Sequence, residues 1–290
     1  MQPQPRYVVI TPARDEEDNL PNTIASLAGQ TVRPTEWVIV DDGSTDRTGQ
    51  IADEAAAKYP WIRVLHRANR GFRKAGGGVM EAVYQGYDAL VSRDWQFLVK
   101  LDGDLYFEPD YFERCFAEFA KDARLGVGGG VIYHVFDGRE EVEKHPMFHV
   151  RGATKIYRRE CWNDIEPLII APGWDTMDEV KANMTGWTSR SFPDIRLRQY
   201  RFTGDADGQF KTFIKNGRAN YITGYHPLFM LVKCVTRIFR KPYGVAAVGL
   251  FYGFFSSYFR DVQQIEDRAL IRYLRRQQLR RLFLRPSIWK

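Results

Sequence analysis

Two clusters of aspartate stand at the ends of apolar runs, and they carry the chemistry most legible in this chain of 290 residues. Asp41-Asp42 follow Trp37-Val38-Ile39-Val40 and lead into Gly43-Ser44-Thr45-Asp46, while Asp102-Gly103-Asp104 follow Phe97-Leu98-Val99-Lys100-Leu101. Short apolar runs bounded by turn formers read as buried strands. Ligands of open α/β sheets lie just beyond the carboxyl ends of such strands. Carboxylates gathered there repel one another unless a cation or a hydrogen-bonding ligand separates them. Hard oxygen donors suit Mg2+ or Mn2+, ions that usually bridge to phosphate. The pattern therefore implies a metal-bound nucleotide diphosphate. Gly103 would let the second turn tighten so that Asp102 and Asp104 converge on one ion.

Other residues extend this picture. Thr11-Pro12-Ala13-Arg14-Asp15-Glu16-Glu17 follow the first strand-like run, so the backbone there could wrap a nucleoside with Glu16 accepting from ribose hydroxyls. Asp42 could accept from a base N–H, whereas Asp46 is placed to cap the next helix. Asn69-Arg70-Gly71-Phe72-Arg73-Lys74-Ala75-Gly76-Gly77-Gly78 could cradle a diphosphate through backbone N–H groups and the Arg73 and Lys74 cations. It lacks the Gly-Lys-Ser/Thr of a P-loop and does not follow the first strand as a dinucleotide fingerprint does. In Gly173-Trp174-Asp175-Thr176-Met177-Asp178-Glu179, three acids open a helix, and one of them could be a general base for a hydroxyl nucleophile. The five histidines lack metal-ligand spacing, and His226 reads as a structural or substrate hydrogen-bonder.

These groups need a scaffold. Strand-like runs at 7–11, 36–40, 61–65, 96–101 and 127–135 alternate with helical patterns near 19–29, 46–58, 75–91 and 109–121. That alternation predicts βαβ units and a largely parallel sheet. Residues 137–150 read as a charged loop or hairpin across the site mouth. No internal repeat or low-complexity linker is present. Three scattered cysteines fit a reducing compartment better than a disulfide framework. No signal peptide fits the N-terminus, which predicts a cytoplasmic chain.

The charge is uneven. Residues 260–290 hold nine Arg/Lys against three acids, which accounts for the whole formal charge of +6 and leaves residues 1–259 neutral. A neutral body argues against nucleic acid and assigns the tail one local task. Residues 242–259 are an uncharged, aromatic stretch of 18, at the short limit for a spanning helix and basic on both flanks. A segment lying in one leaflet fits that pattern better than a crossing one. The alternative is an aromatic helix closing the core. From Ala269 onward the helical pattern divides into two faces, predicting two short helices whose arginines suit an anionic membrane surface.

As a set, Pro12-x-Arg14-x-Glu16, Val40-Asp41-Asp42-Gly43-Ser44-Thr45-Asp46, Asn69-x-Gly71, Leu101-Asp102-Gly103-Asp104 and the later acid-bearing helix resemble the inverting, membrane-associated bacterial-type family-2 glycosyltransferases of the GT-A fold. The resemblance covers roughly residues 6–225. It implies a Rossmann-like, mostly parallel mixed α/β sheet flanked by helices as a catalytic domain over 1–225, with C-terminal membrane-associating helices over 226–290. It implies that Pro12, Arg14, Glu16, Asp42, Lys74, Asp102 and Gly103 meet the nucleotide, and that Asp102 and Asp104 hold Mg2+ or Mn2+ on the sugar diphosphate. Counting back from Gly186-Trp187, the family's base falls on Asp175; the family's preceding Glu is absent, which keeps Asp178 and Glu179 as alternatives. Gln-x-x-Arg-Trp is absent too, against a processive synthase. The expected activity is metal-dependent transfer of a sugar from a nucleotide-sugar donor, UDP-linked by preference, to a hydroxyl of a lipid-linked saccharide at the cytoplasmic membrane face, the protein being peripheral or monotopic. Two alternatives are a polyprenyl-phosphate sugar synthase and a non-catalytic membrane-surface protein with a degenerate nucleotide site.

Overall fold

The computed structural model describes residues 4–71, 76–136, 139–142, 145–199, 208–239 and 242–289. The first half follows the predicted alternation. Strands β1 (Tyr7–Ala13), β2 (Glu36–Asp41), β3 (Ile62–His66) and β4 (Phe97–Leu101) are joined through helices α1 (Leu20–Ala28), α2 (Thr48–Lys58) and α3 (Gly77–Asp88). They pair in parallel in the order β3-β2-β1-β4. Every residue of β2 and β4 is buried, which is why these runs are largely apolar rather than alternating. Successive side chains still point to opposite faces. Tyr7, Val9, Trp37, Ile39 and Val99 pack with α1 and α2 on one side, together with the aromatic face of α4 (Tyr111–Lys121). Val8, Ile10, Val38, Val40 and Leu98 pack with α3 and α5 (Arg159–Ile165) on the other.

Beyond β4 the sheet changes character. It continues through β8 (Thr154–Arg158), β6 (Leu125–Phe136), β9 (Thr188–Gln199) and β5 (Leu105–Phe107), with β7 (Arg139–Val142) as a hairpin partner of β6. In this half β4–β8, β6–β8, β5–β9 and β6–β7 are antiparallel, and β6–β9 is parallel. The sheet is therefore mixed rather than mostly parallel. Strands β8 and β9 are not readable in the sequence because polar residues interrupt them, as in Thr188-Ser189-Arg190-Ser191, and β5 because it is only three residues long. The predicted hairpin over 137–150 is present in part, as β6–β7.

Helices α6 (Trp174–Met184), α7 (Gln209–Ile222), α8 (Pro227–Ile238), α9 (Val245–Phe255) and α10 (Arg268–Leu282) complete the chain. Met177 and Val180 of α6 share a third core with Tyr225, Met230, Leu250, Phe254, Leu270 and Leu274. The basic tail forms one helix of 15 residues, not two short ones. Leu270, Ile271, Leu274, Gln277 and Gln278 make a single buried stripe along it, and the second set (Leu279, Leu282, Phe283) lies outside that stripe. Helix α9 closes on α7 through glycine: a Cβ at Gly249 would meet Phe213 Cβ at 2.7 Å, and one at Gly253 would strike the Ile214 carbonyl. This Gly-x-x-x-Gly pair thus serves a contact within the chain. Among the described residues no helix is long and apolar enough to cross a membrane. The three cysteines are free and buried.

Candidate active site

The carboxyl ends of β1, β2 and β4 open into one cleft of about 260 Å³. Pro12, Arg14, Glu16, Asp42, Asp102, Gly103 and Asp104, seven residues selected by sequence, all line it. Arg70, Gly76, Gly78 and Val79 line it as well. Lys74 and Arg73 fall outside the described residues. Gly76 holds φ +69°, and a Cβ there would sit 2.5 Å from Pro172 Cα, so only glycine lets the start of α3 approach the segment that leads into α6. Gly103 has a different role from the one predicted. Its φ is not left-handed, and a methyl would meet Leu20, Ala13 and Thr11 at an ordinary 3.5–3.7 Å. Tightening of the Asp102–Asp104 turn therefore does not depend on glycine.

On the β1 and β2 side the cleft is walled by a pair of interlocked loops. Asp15 Oδ1 accepts from Thr45 N at 2.9 Å, and Thr48 Oγ1 accepts from Glu16 N at 2.7 Å. Asp46 accepts from Thr48 N at 2.9 Å, closing the turn into α2 as expected. Hydrogen bonding to Thr48 outweighs the effect of burial and lowers the Asp46 pKa. The two adjacent aspartates divide their work. Asp41 accepts from Ser44 N at 2.9 Å and faces His66 at 3.1 Å, so it is a structural group. Asp42 faces the cleft, where Arg67 and Arg70 both donate to its carboxylate. Arg14 bridges the Asp42 carbonyl at 3.2 Å and Asn69 Oδ1 at 3.0 Å, tying the Asn69-x-Gly71 loop to the first strand.

On the other side two lysines, Lys100 and Lys155, face one another across β4 and β8. Such like-charge pairs are unfavourable unless each charge finds a partner. Lys100 donates to Asp102 and, at 2.6 Å, to the Gly152 carbonyl. Lys155 donates to Asp178 at 2.7 and 2.8 Å, to Glu179 at 2.9 Å, and to the Asp175 carbonyl. Both ammonium groups also lie near the Trp174 ring, at 5.6 and 5.5 Å from its centroid.

The three acids of α6 separate accordingly. Asp178 and Glu179 are fully buried against Lys155. Asp178 also accepts from Tyr157 Oη at 2.6 Å, and burial pushes its pKa up to about 7 against the pull of Lys155. Glu179 accepts from Val150 N at 2.6 Å and faces His149 Nδ1 at 2.9 Å. Asp175 keeps 26% of its side chain exposed, with His149 Nε2 and Arg151 each 3.9 Å from its Oδ2. Burial would raise its pKa, but the charges of His149, Lys155, Arg151 and Lys100 outweigh burial and hold it below the usual range. Gly152 links this group to the Asp102 turn: a Cβ there would touch Asp175 Cβ at 3.3 Å, and its carbonyl holds Lys100, which also donates to Asp102. Arg70, Lys100, Lys155 and His149 were missed as site residues. A lysine inside an apolar run, as in Val99-Lys100-Leu101 and Lys155-Ile156-Tyr157, is the signal that could have found two of them.

Known proteins are similar to this chain in sequence or in fold. Polyprenol monophosphomannose synthase of Mycolicibacterium smegmatis is 33% identical over 133 residues, 46% of this chain and 48% of that protein. Chondroitin synthase of Escherichia coli is 31% identical over 121 residues, 42% of this chain but 16% of that protein. The chain thus spans less than half the length of these relatives. The S. aureus TarS fragment 1–349 in complex with UDP-GlcNAc shares the fold with a TM-score of 0.53 at 19% identity, over 95% of this chain and 81% of that one. The mannosyltransferase PcManGT from Pyrobaculum calidifontis, in complex with GDP-Man and Mn2+, has a TM-score of 0.56 at 15% identity, over 99% and 77%. The fold is thus GT-A-like. Residues 8–173, more than half of the chain, match glycosyl transferase family 2, and the chain belongs to that family.

Proposed function

We propose that this protein transfers a sugar from a nucleotide-sugar donor to a hydroxyl of a lipid-linked saccharide, with inversion at the anomeric carbon. The observation that carries this reading is the convergence on one side of the sheet. Pro12, Arg14, Glu16 and Asp42 line the same cleft as Asp102 and Asp104, and Gly152, whose carbonyl holds the Lys100 that donates to Asp102, packs beside the partly exposed carboxylate of Asp175. In this reading the first four residues bind the nucleoside, and Asp175 takes the proton from the acceptor hydroxyl as the glycosidic bond forms. Arg70, beside Asp42 in the cleft, offers a cation to the donor. A UDP-sugar is the donor proposed, as UDP-GlcNAc is bound in the TarS structure.

The residues present fit a divalent ion. Asp102 and Asp104 offer oxygen donors to one cleft, and Mg2+ or Mn2+ commonly takes one or two carboxylates and completes its sphere from substrate phosphate and water. When bound, the ion would stabilise charge on the departing diphosphate. Turnover of UDP-, GDP- and dTDP-sugars with Mn2+, Mg2+ or EDTA tests the reading. Activity with one donor, abolished by EDTA and cut at least 100-fold in Asp104→Ala, is the expected result. No binding of any donor with either metal would leave the non-catalytic reading in its place.

A second reading, a polyprenyl-phosphate sugar synthase, is favoured by the names of two relatives. These are the M. smegmatis synthase and the undecaprenyl-phosphate mannosyltransferase of Micrococcus luteus, the latter 32% identical over 123 residues. A phosphate acceptor is already ionised and needs no base, so the effect of substituting Asp175 separates the two.

We also propose that the protein sits at the cytoplasmic face of a membrane, peripherally or in one leaflet. Leu228, Leu231, Val232, Val235 and Ile238 of α8 and Val248, Phe251 and Tyr252 of α9 are exposed on helices whose other faces are packed. Contiguous apolar surface of this kind marks an interaction site. Val248→Glu/Phe251→Glu should lower partition into vesicles at least tenfold while leaving turnover of a soluble acceptor unchanged; equal partition would sink the assignment of this face.

A further inference from the structure

Helix α10 gathers the charge of the tail into one basin. Arg272, Arg275, Arg276 and Arg280 recur at helical spacing, Arg285 returns toward them beyond the helix end, and His226 closes the basin, which has a volume of about 490 Å³. No carboxylate lines it, and none of the five arginines forms an ion pair among the described residues. Arg275 donates through Nε to the Gly224 carbonyl at 2.8 Å, Arg272 through Nε to Arg268 at 3.3 Å, and Arg280 through Nε to Pro286. All three spend the Nε proton on the backbone. Their terminal nitrogens, the pair that grips an oxyanion, remain available. The positive end of α8 begins at the same place, because His226 is its N-cap. Five like charges held together without a counter-charge are unfavourable, and an anion with several oxygens relieves them.

The rim of the basin identifies the source of that anion. Phe283 lines it and is 66% exposed, and Leu284, next in sequence, is 90% exposed with φ +53°, a left-handed conformation costly for leucine. Leu228, whose N–H caps onto His226, begins the exposed apolar face of α8. A cationic basin bordered by exposed apolar side chains matches a membrane interface, where phosphate lies above hydrocarbon. Free phosphate needs no such rim. Nucleic acid would call for charge along an extended track, and the chain outside 260–290 is formally neutral.

We propose that the α10 basin binds the phosphate of an anionic lipid headgroup, with Phe283 and Leu284 entering the interface beside it. This rests on the membrane reading above and gives it a specific charged contact, separate from the apolar face of α8 and α9. The test is co-sedimentation of the full chain with phosphatidylcholine vesicles, with and without phosphatidylglycerol, for wild type and Arg272→Gln/Arg276→Gln. Both arginines are exposed and bond only within their own helix, so the variant should fold, and unchanged donor turnover checks that it does. The expected result is tighter binding to the anionic vesicles, weakened roughly 30-fold in the variant by loss of two charges and weakened in wild type by added salt. Equal binding of variant and wild type to anionic vesicles overturns the proposal. Equal binding of wild type to both vesicle types also overturns it, while leaving the apolar face as the membrane contact. If wild type ignores vesicles but inorganic pyrophosphate raises its Tm and not that of the variant, the ligand is a free phosphate. Tighter retention on a single-stranded oligonucleotide than on anionic vesicles would assign the basin to nucleic acid instead.

Discussion

Asp175→Asn should lower kcat by about 10²–10⁴-fold, the range a positioned general base supplies, with little change in donor KM. The substitution keeps the shape of the side chain and leaves the Asp175 carbonyl that Lys155 holds. Asp178→Asn is not an equivalent experiment, because that carboxylate is fully buried between Lys155 and Tyr157 and no acceptor can reach it. The pH profile gives a second readout. His149, Lys155, Arg151 and Lys100 hold Asp175 below the usual carboxylate pKa, so its ionised, proton-accepting form persists above that depressed value. The acidic limb of kcat should therefore lie below about pH 4, where an ordinary aspartate titrates. Removing a positive neighbour by His149→Gln should move that limb upward. An Asp175→Asn enzyme that keeps substantial activity would sink the hydroxyl-acceptor reading and favour the polyprenyl-phosphate one.

Lys155→Met should cost about 3–5 kcal/mol of folding stability, measured by denaturant unfolding, because it leaves two carboxylates buried without their shared cation. Lys155 is fully buried and makes hydrogen bonds to Asp178, Glu179 and the Asp175 carbonyl. Burial disfavours its charge, yet the nearby carboxylates of Asp178, Glu179 and Asp175 prevail and raise its pKa. The loss should depend on pH in a defined direction. In wild type, burial already pushes Asp178 up to about 7. Without Lys155 this carboxyl is raised further, so the folded variant binds a proton that the unfolded chain releases near pH 4. Stability of the variant should then fall as pH rises from about 4 through 7 and beyond. A deficit below about 1 kcal/mol, flat across that window, would mean that the buried network contributes little to the fold.

Much of the scaffold was legible because its signals are local. An apolar run ending in turn formers specifies a buried strand from its own residues, and β1 to β4 with α1 to α4 appear within a few residues of their predicted bounds. The same locality placed Pro12, Arg14, Glu16, Asp42, Asp102, Gly103 and Asp104, since each follows directly from the end of a readable strand. Strands β5, β8 and β9 were not legible. They pair at the antiparallel side of the sheet, where the partner and not the sequence pattern decides which face is buried.

What sequence determined by itself was therefore the α/β frame and the acids at its strand ends. Tertiary structure alone decided how those acids are partnered. Asp41 and Asp42 are adjacent, yet one is held by Ser44 and His66 and the other by Arg67 and Arg70 across 25 and 28 residues. Asp175, Asp178 and Glu179 form one run of acids, but only the fold pairs the carboxylates of two of them with buried Lys155 and leaves the third partly exposed. The physical reason is one of range. Backbone conformation follows from neighbours along the chain, whereas the state of a charge follows from desolvation and from partners a few ångströms away in space.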